Sequence, residues 1–580
     1  MTTLVIIGLI ALILLIILLG EPLYVLIGAV AVYCLLFSGV LSEPHQVSTA
    51  VIDETRNLID NQVLLAVPFF VVAGALMTEG DIATRLIDFA KSLLGWLPGG
   101  LAVATVFACV FFAAISGSSP VTVIAIGSIM YPALINANYP DRFANGLVTS
   151  AGSLGILIPP SIPMIVYAIV DPTQFADPPG YTLSSGGGST GVADLFLAGI
   201  GPGLLIAAVL AGYAMFVGAK HKVPTTKFSF PEVARTFQRG IWALLFPVIL
   251  LGGIYSGVFS PTQAACVAVV YALIVEFFIH HSIKVEDLPR ILSSSAVLMG
   301  TLLIIMALAL GFNRYLELAQ IPEKAVEMIV SWDLNLVTFL IIMNILLLIV
   351  GCLMDILSAI LILVPLLAAI GFQLGVHPLH MAIIFIVNLE IGYLTPPVGL
   401  NLFVSSTIFR KKLSEVIRAV VPFMLLMLGT LLVITYVPTI ALGPVSLLKG
   451  QSFIVNFPDK EVRETPKSAG GDDGDEAGEA GEGDDSAGGS ELDALMDEVD
   501  DEMEEDNGSP GSELDGLMDE VEDEMEEEEE AKAEADDAAE KAAEKAAEDE
   551  AKEDADEAPP VAPDAGAGTP QPDAAPSPEP

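Results

Sequence analysis

Long apolar runs separated by short polar segments fill the first 458 residues of the chain. A helix needs about 20 apolar residues to cross a bilayer, and most of these runs approach or reach that length. They are Leu4–Leu19, Leu23–Val40, Val63–Met77, Leu101–Ile115, Val121–Ile135, Leu195–Val217, Ile241–Val258, Ala264–Ile279, Ala296–Phe312, Leu334–Val350, Leu353–Ile370, Met381–Ile391 and Ala419–Leu442. Because a lipid-exposed segment must satisfy its own backbone polar groups, the pattern predicts an all-α polytopic membrane protein.

The first run, Leu4–Leu19, could instead be the apolar region of a secretory signal peptide. No basic residue precedes it, and no convincing small-residue cleavage site follows it. Both features favour a spanning helix, and the signal peptide stays as the alternative.

Two parts of the apolar body repeat one order of features. In the first part, a polar stretch and an apolar arm that closes with proline occupy Ser116–Pro132, and a Gly-x-x-x-Pro-Pro motif follows at Gly155–Pro160. In the second part, Asp355–Pro365 and then Gly392–Pro397 show the same order. The body therefore contains two structural repeats, which we place at residues 1–218 and 241–450.

The register of the two repeats can be set in two ways. Aligning the prolines that close the arms places Thr122 opposite Asp355. Aligning the double prolines places Ser153 opposite Glu390. Both alignments pair positions that could face one another in a symmetric site.

A double proline removes two amide donors and prevents regular helix around it, so each motif is expected to split a membrane helix. We predict broken helices at 143–170 and 379–409, and re-entrant hairpins at 99–136 and 334–371. Transporters use such unwound segments to coordinate sodium and anionic substrates. Kinks that serve only packing are the alternative, since Gly and Pro are common in membrane helices. The repetition of both features favours a binding site.

Basic residues lie at opposite ends of the two broken helices. The segment after the first, 171–194, has no Lys or Arg, whereas Arg410-Lys411-Lys412 follows the second. By the positive-inside rule the repeats are inverted, and the basic connector 219–240 is cytoplasmic. Counting from the connector gives ten crossings plus two hairpins, with Met1 and the segment after Leu442 outside.

The net charge of −46 arises almost entirely in the C-terminal tail. Residues 459–580 hold 48 of the 71 acidic residues and 7 of the 25 basic ones, so the apolar body is nearly neutral. An acidic surplus of this kind argues against nucleic-acid binding, and the body has no Walker A or other enzyme motif. The chain is thus expected to be neither a nucleic-acid binder nor an enzyme.

The tail has a disordered composition and one internal repeat. The sequence that begins at Ser490 recurs at Ser512, a period of 22 residues, with apolar positions at helical spacing. A solvated polyanion is the favoured interpretation, and a pair of short acidic helices that dock on an unidentified partner is the alternative.

Several motifs together resemble one transporter family. Phe112–Ser119, Ile158–Ser161, Leu195–Gly203, Asn388 and Gly392–Phe403 are similar to segments of the large membrane subunit, or permease, of tripartite ATP-independent periplasmic (TRAP) transporters of the dicarboxylate type. The resemblance covers residues 1–450 in order. The acidic tail is much longer than this family usually carries.

The resemblance implies an elevator-type, sodium-coupled importer in the bacterial inner membrane. A periplasmic substrate-binding protein would deliver a small organic acid, such as a C4-dicarboxylate or a sialic acid, to this chain and a small four-helix permease subunit. Sodium would be the coupling ion, with no other cofactor and no transition metal. A stand-alone sodium-coupled carrier or exporter of related inverted-repeat fold, which needs no binding protein, is the alternative.

The family's sodium and substrate sites lie at the hairpin tips and double-proline breaks. Carried over by motif, the residues are Ser116, Gly117, Ser118, Ser119, Thr122, Gly155, Pro159 and Pro160 in the first repeat, and Asp355, Asn388, Gly392, Thr395, Pro396, Pro397 and Asn401 in the second. Hydroxyl, amide and carbonyl oxygens suit a hard cation.

Two positions carry a second interpretation, and a third departs from the family motif. Pro120 departs from the small residue that many relatives have at the first tip. Asp355 could instead cap the helix that follows it. Glu390 could form only a structural hydrogen bond, although a carboxylate inside a bilayer is costly and needs a reason.

Overall fold

The computed structural model describes residues 23–37, 62–173, 175–178, 191–321 and 335–457, with single positions outside these ranges. The chain divides into one unit of residues 1–467 and a second of residues 468–580. The second unit and the rest of the acidic tail lie outside the described residues, as does much of the first apolar run. The predictions for these segments therefore stay predictions.

The described part is helical and has no strand. Its seventeen α-helices are α1 (Leu23–Phe37), α2 (Ala66–Glu79), α3 (Ile82–Leu94), α4 (Gly100–Ser116), α5 (Ser119–Asn136), α6 (Asp141–Gly152), α7 (Ile162–Val170), α8 (Val192–Lys220), α9 (Phe230–Tyr255), α10 (Pro261–Leu273), α11 (Leu288–Leu318), α12 (Leu336–Leu353), α13 (Ile356–Gln373), α14 (Pro378–Gly392), α15 (Leu400–Ile408), α16 (Leu413–Tyr436) and α17 (Thr439–Leu448). Eight helices of this part are long and apolar enough to span a membrane, which confirms the all-α polytopic prediction.

The helices form an outer and an inner group. In the outer group, α10 and α11 pack on α2, α11 packs on α1, and α9 packs on α3 and α10. The inner group contains α4 to α8 and α12 to α17. Contacts of α2 and α3 with α4, and of α11 with α13, join the two groups.

Both predicted hairpin segments fold as two consecutive helices, and α5, α12 and α13 are among the eight helices long enough to span a membrane. Helices α4 and α5 are joined at Gly117 and Ser118, and Gly117 adopts the left-handed conformation (φ 58°) that favours glycine. Pro120 lies in the first turn of α5, where the missing amide hydrogen costs no helical hydrogen bond. The departure from the family motif at Pro120 is therefore compatible with the tip. Helices α12 and α13 form the second hairpin around Met354 and Asp355.

The two broken helices run in opposite directions. The start of α6 contacts the segment after α15, because Lys411 Nζ lies 2.9 Å from Asp141 Oδ2. The start of α14 contacts the segment after α7, because His377 Nε2 lies 3.0 Å from Asp177 Oδ1. Each broken helix therefore begins where the other ends, as inverted repeats require.

The ion pair between Asp141 and Lys411 has a clear electrostatic basis. Burial opposes ionisation of Asp141, but hydrogen bonds from Tyr131 and Lys411 outweigh it and lower the pKa of the carboxyl. The hydrogen bond to Asp141 also raises the pKa of Lys411. Both groups stay charged near neutral pH, which stabilises the contact between repeats.

Helix α8 links the two faces of the molecule. At one end Asp194 pairs with Lys449 (2.9 Å), just before the described chain ends at 457. At the other end Gly218 lies against Gly99, where the first hairpin begins. The first hairpin therefore opens toward the connector, and the described C-terminal segment lies at the opposite face.

Side-selective labelling tests this arrangement. In a Cys266→Ser background, cysteines placed at exposed Thr225 and Lys412 should react only with a reagent that reaches the cytoplasm. Cysteines at exposed Ser256 and Ser452 should react with an impermeant maleimide added outside. Labelling of Thr225→Cys and Ser256→Cys from the same side would contradict the inverted topology.

Candidate functional site

The first hairpin tip is a compact network of hydroxyl groups. Ser116 Oγ and Thr122 Oγ1 lie 2.9 Å apart, and Thr122 Oγ1 donates to the carbonyl oxygen of Ser118 at 2.8 Å. Ser116, Ser119 and Thr122 are buried. The tip thus concentrates neutral oxygen atoms where two helix ends meet.

The first double-proline break packs directly on this tip. A Cβ atom added to Gly155 would lie 2.4 Å from the carbonyl oxygen of Ser118 and 2.7 Å from Thr122 Oγ1. A Cβ atom added to Gly117 would lie 3.1 Å from the carbonyl oxygen of Pro160. The structure therefore brings together the site residues predicted in the first repeat. Oxygen atoms of the tip and of the break approach Gly155 and Gly117, which have no side chain to keep them apart. Pro159 and Pro160 are buried in this contact and joined by a cis bond.

The second tip is built around a helix cap. Asp355 is the N-cap of α13: its carboxylate accepts the backbone N–H of Ser358 at 3.0 Å and the Ser358 hydroxyl at 2.6 Å. The capping interpretation of Asp355 is confirmed. The side chain is exposed, so the carboxylate also remains accessible to an ion.

The pairing of Thr122 with Asp355 is wrong. Ser118 is the N-cap of α5, so Ser118 occupies the position equivalent to Asp355, and Thr122 lies one turn further into the helix. The alignment failed because Pro132 is the fourteenth residue of α5 whereas Pro365 is the tenth of α13. The closing prolines are therefore not at equivalent positions.

The second break contacts the second hairpin through backbone. A Cβ atom on Gly392 would lie 2.6 Å from the carbonyl carbon of Gly351, at the end of α12. The backbone N–H of Ile356, the first residue of α13, donates to the Tyr393 hydroxyl at 3.0 Å. Pro396 and Pro397 are exposed, unlike the first double proline, and they too are joined by a cis bond. Thr395 hydrogen-bonds back to Ile391 within its own helix end.

Asn401 belongs to the first tip and not to the second. Its side-chain amide donates to Ser119 Oγ at 2.6 Å, over a separation of 282 residues. Its carbonyl atom Oδ1 is buried and has no hydrogen-bond partner among the described residues. An unpartnered oxygen beside Ser119 suits a bound cation, because burial of such an atom is otherwise unfavourable.

The pairing of Ser153 with Glu390 is a direct contact. The Ser153 hydroxyl donates to Glu390 Oε1 at 2.8 Å, and both residues are fully buried. Positions that are equivalent in two repeats can touch only near the axis that relates them, so this contact marks the pseudo-two-fold axis. Glu390 thus has the structural hydrogen bond expected as its alternative role.

Asn388 lies in a second polar bridge that the motif did not reveal. Its amide donates to Asn344 Oδ1 in α12 and to the carbonyl of Ile384, and Asn344 in turn donates to Thr435 in α16 at 3.3 Å. Because Asn344 lies more than two turns before the end of α12, this bridge is away from the tip. Asn344 and Thr435 lie in apolar runs without a motif, and only the three-dimensional contact identifies them.

The donor set limits the kind of ion that could bind. Within the described part of the chain, no cluster of three or more His, Cys, Asp or Glu side chains could hold a metal ion. The first tip offers hydroxyl, amide and carbonyl oxygens, and the second adds one carboxylate. Oxygen donors of this kind are the ligands that hard cations prefer.

Comparison with known proteins decides the family. The family model described as "Tripartite ATP-independent periplasmic transporter, DctM component" matches residues 9–440. The chain belongs to this family. The resemblance found in the motifs is thereby confirmed, and the TRAP large permease is a multi-pass inner-membrane transporter subunit and not an enzyme.

Curated relatives agree with this assignment, and one solved structure shares the fold. The C4-dicarboxylate TRAP transporter large permease protein DctM of Pseudomonas aeruginosa is 42% identical over 385 residues, covering 66% of this chain and 86% of that protein. The isethionate TRAP transporter permease protein DctMQ of Oleidesulfovibrio alaskensis is 35% identical, covering 73% and 63%. The YdaH transporter of Alcanivorax borkumensis shares the fold at a TM-score of 0.51 and 14% identity, covering 71% and 90%.

The contact at Gly155 can be tested by substitution. Gly155→Ala in the TRAP large permease should lower the apparent melting temperature, because an overpacked contact typically costs about 1–3 kcal/mol, and it should reduce uptake. Gly212→Ala in α8 is the matched control, since a Cβ atom there meets no atom within 4 Å. A Gly155→Ala variant as stable and active as Gly212→Ala would contradict the close packing of break and tip.

Proposed function

We propose that this TRAP large permease imports small organic acids, with C4-dicarboxylates the favoured substrates, by coupling to sodium. The observation that carries the proposal is the convergence of hairpin tip and broken helix in each repeat, with a buried unpartnered amide oxygen at the first tip. Unwound membrane helices of this kind serve as cation and anion sites in transporters. The dicarboxylate preference follows the 42% identity to the P. aeruginosa permease.

The proposed partners are a periplasmic substrate-binding protein and a small four-helix permease subunit. The family description is that of a tripartite transporter, so two further components are expected. The isethionate relative named DctMQ is longer than the part of it that this chain matches. Its name and length are consistent with a fused second component in that protein. The outer helix group is the proposed scaffold, and the inner group the part that moves in an elevator mechanism.

A stand-alone carrier remains the second candidate function. The likeness to the YdaH transporter extends over 90% of that chain, so the same fold occurs in a protein of different sequence. The two functions differ in their requirement for a binding protein. Sodium coupling is expected in both.

Reconstitution separates the two functions. Proteoliposomes that contain this chain and its small subunit should accumulate a C4-dicarboxylate only with the binding protein outside and an inward sodium gradient. Replacing the sodium gradient by a potassium gradient should abolish accumulation, because sodium is the proposed coupling ion. Accumulation without any binding protein would favour the stand-alone carrier instead.

Asp355 allows capping and ion binding to be separated. Asparagine is among the best N-caps, so Asp355→Asn should preserve stability, whereas Asp355→Ala should cost about 1 kcal/mol. An interaction with a charged oxygen is worth about 1.5 kcal/mol, so both variants should raise the half-saturating sodium concentration by roughly tenfold. Uptake as a function of sodium and thermal melting provide the two measurements.

Asn335 provides the matched control for this experiment. Asn335 caps α12 of the same hairpin by accepting the backbone N–H of Thr338 at 2.8 Å. Asn335→Ala should therefore reduce stability without changing the sodium dependence. An Asp355→Asn variant with the sodium dependence of the wild type would restrict Asp355 to the capping role.

A further inference from the structure

The basic connector is docked on α3 and is not a free loop. The backbone N–H of Thr226 donates to the carbonyl oxygen of Gly95 at 3.0 Å, and the hydroxyls of Ser92 and Thr236 lie 2.7 Å apart. Arg85 Nη1 in α3 donates to the carbonyl oxygen of Arg239 at 3.3 Å. We call α3 with residues 95–96 and 219–242 the connector platform.

The connector platform exposes large aromatic side chains. Phe230 is 72% exposed and Trp96 is 51% exposed, and Phe228, Phe237 and Trp242 are also exposed. The rings of Trp96 and Phe228 pack edge to face with their centroids 6.4 Å apart, so the two side chains form one surface. Two of the three tryptophans of the chain lie here. Trp is typical of the boundary between headgroups and acyl chains.

The same platform carries exposed cations that have no ion-pair partner among the described residues. Lys220, Lys222, Lys227 and Arg235 are exposed, and none of them forms an ion pair within the described part of the chain. The acidic residues of the platform are fewer, with Asp88 on α3 and Glu232 at the start of α9. The platform therefore has an excess positive charge beside its exposed aromatic rings.

We propose that the connector platform binds anionic phospholipid headgroups of the cytoplasmic leaflet. Lys and Arg next to a spanning helix attract anionic lipids, and neighbouring aromatic rings insert at the headgroup level. The proposal requires the connector to be cytoplasmic, as the positive-inside rule predicts. Lipid bound there would hold the outer helix group in the membrane plane through α3 and α9.

The platform and the last described residues lie near opposite ends of α8. The described chain ends at 457, close to Lys449, which pairs with Asp194 at the start of α8. The platform begins at the other end of α8, after Lys220. The last described residues and the platform are therefore at opposite faces.

Tryptophan quenching tests the proposal on the full chain. In a Trp332→Phe background, Trp96 and Trp242 are the remaining reporters, and both lie on the platform. The protein is reconstituted with brominated phosphatidylglycerol or brominated phosphatidylcholine at equal mole fraction. Phosphatidylglycerol should quench more strongly, with a relative binding constant on the order of fivefold. The triple variant Lys222→Gln, Lys227→Gln, Arg235→Gln should bring this ratio close to one.

A second triple variant gives the matched control. Arg410→Gln, Lys412→Gln and Arg418→Gln remove three exposed cations from the same face of the membrane but outside the platform. This variant should keep the wild-type ratio. Equal quenching by both lipids in the wild type, or an equal loss of selectivity in both triple variants, would overturn the proposal. Protection of both tryptophans from either lipid would show that protein covers the platform, which also overturns it.

Discussion

The requirement that backbone groups be satisfied inside the bilayer governs this structure. Each double proline frees carbonyl and amide groups that a regular helix would pair, and lipid offers no partner for them. The protein provides partners locally: the Ser161 hydroxyl donates to the carbonyl of Ile156, and the backbone N–H of Asn401 donates to the carbonyl of Tyr393. Gly399 likewise donates to Cys352 at the end of α12. The contact of Gly399 with Cys352 requires the second hairpin to lie beside the second break.

The same contacts join the two repeats into one body. Asn401 of the second repeat bonds to Ser119 of the first tip, and Glu390 accepts from Ser153 near the pseudo-two-fold axis. The ion pair of Asp141 with Lys411 adds a contact at the face of the connector. Buried hydrogen bonds of this kind are costly to leave unpaired. Any movement of the inner helix group is therefore expected to carry both tips and both breaks together.

Local sequence chemistry predicted the hairpins and breaks because Gly, Ser and Pro act on the backbone where they stand. The same reasoning could not assign Asn401 to the first tip, since that contact joins residues 282 positions apart. It placed Thr122 opposite Asp355 because it assumed equal arm lengths, which α5 and α13 do not have. Asn344 lies in an apolar run without any motif, so packing alone reveals its contact with Asn388.

The two hairpin tips differ in charge, and this difference bears on how sodium binding would be coupled to substrate binding. The first tip is buried and offers only neutral oxygens, whereas the second carries the exposed carboxylate of Asp355. Under the proposed function, sodium at the second tip would be neutralised by Asp355, but sodium at the first tip would have no carboxylate among its ligands, in a medium where charge is costly. An anionic substrate bound nearby would offset that charge. Ion and organic acid would then raise each other's affinity by the same factor, as linkage requires, and the buried neutral tip is where that coupling would arise.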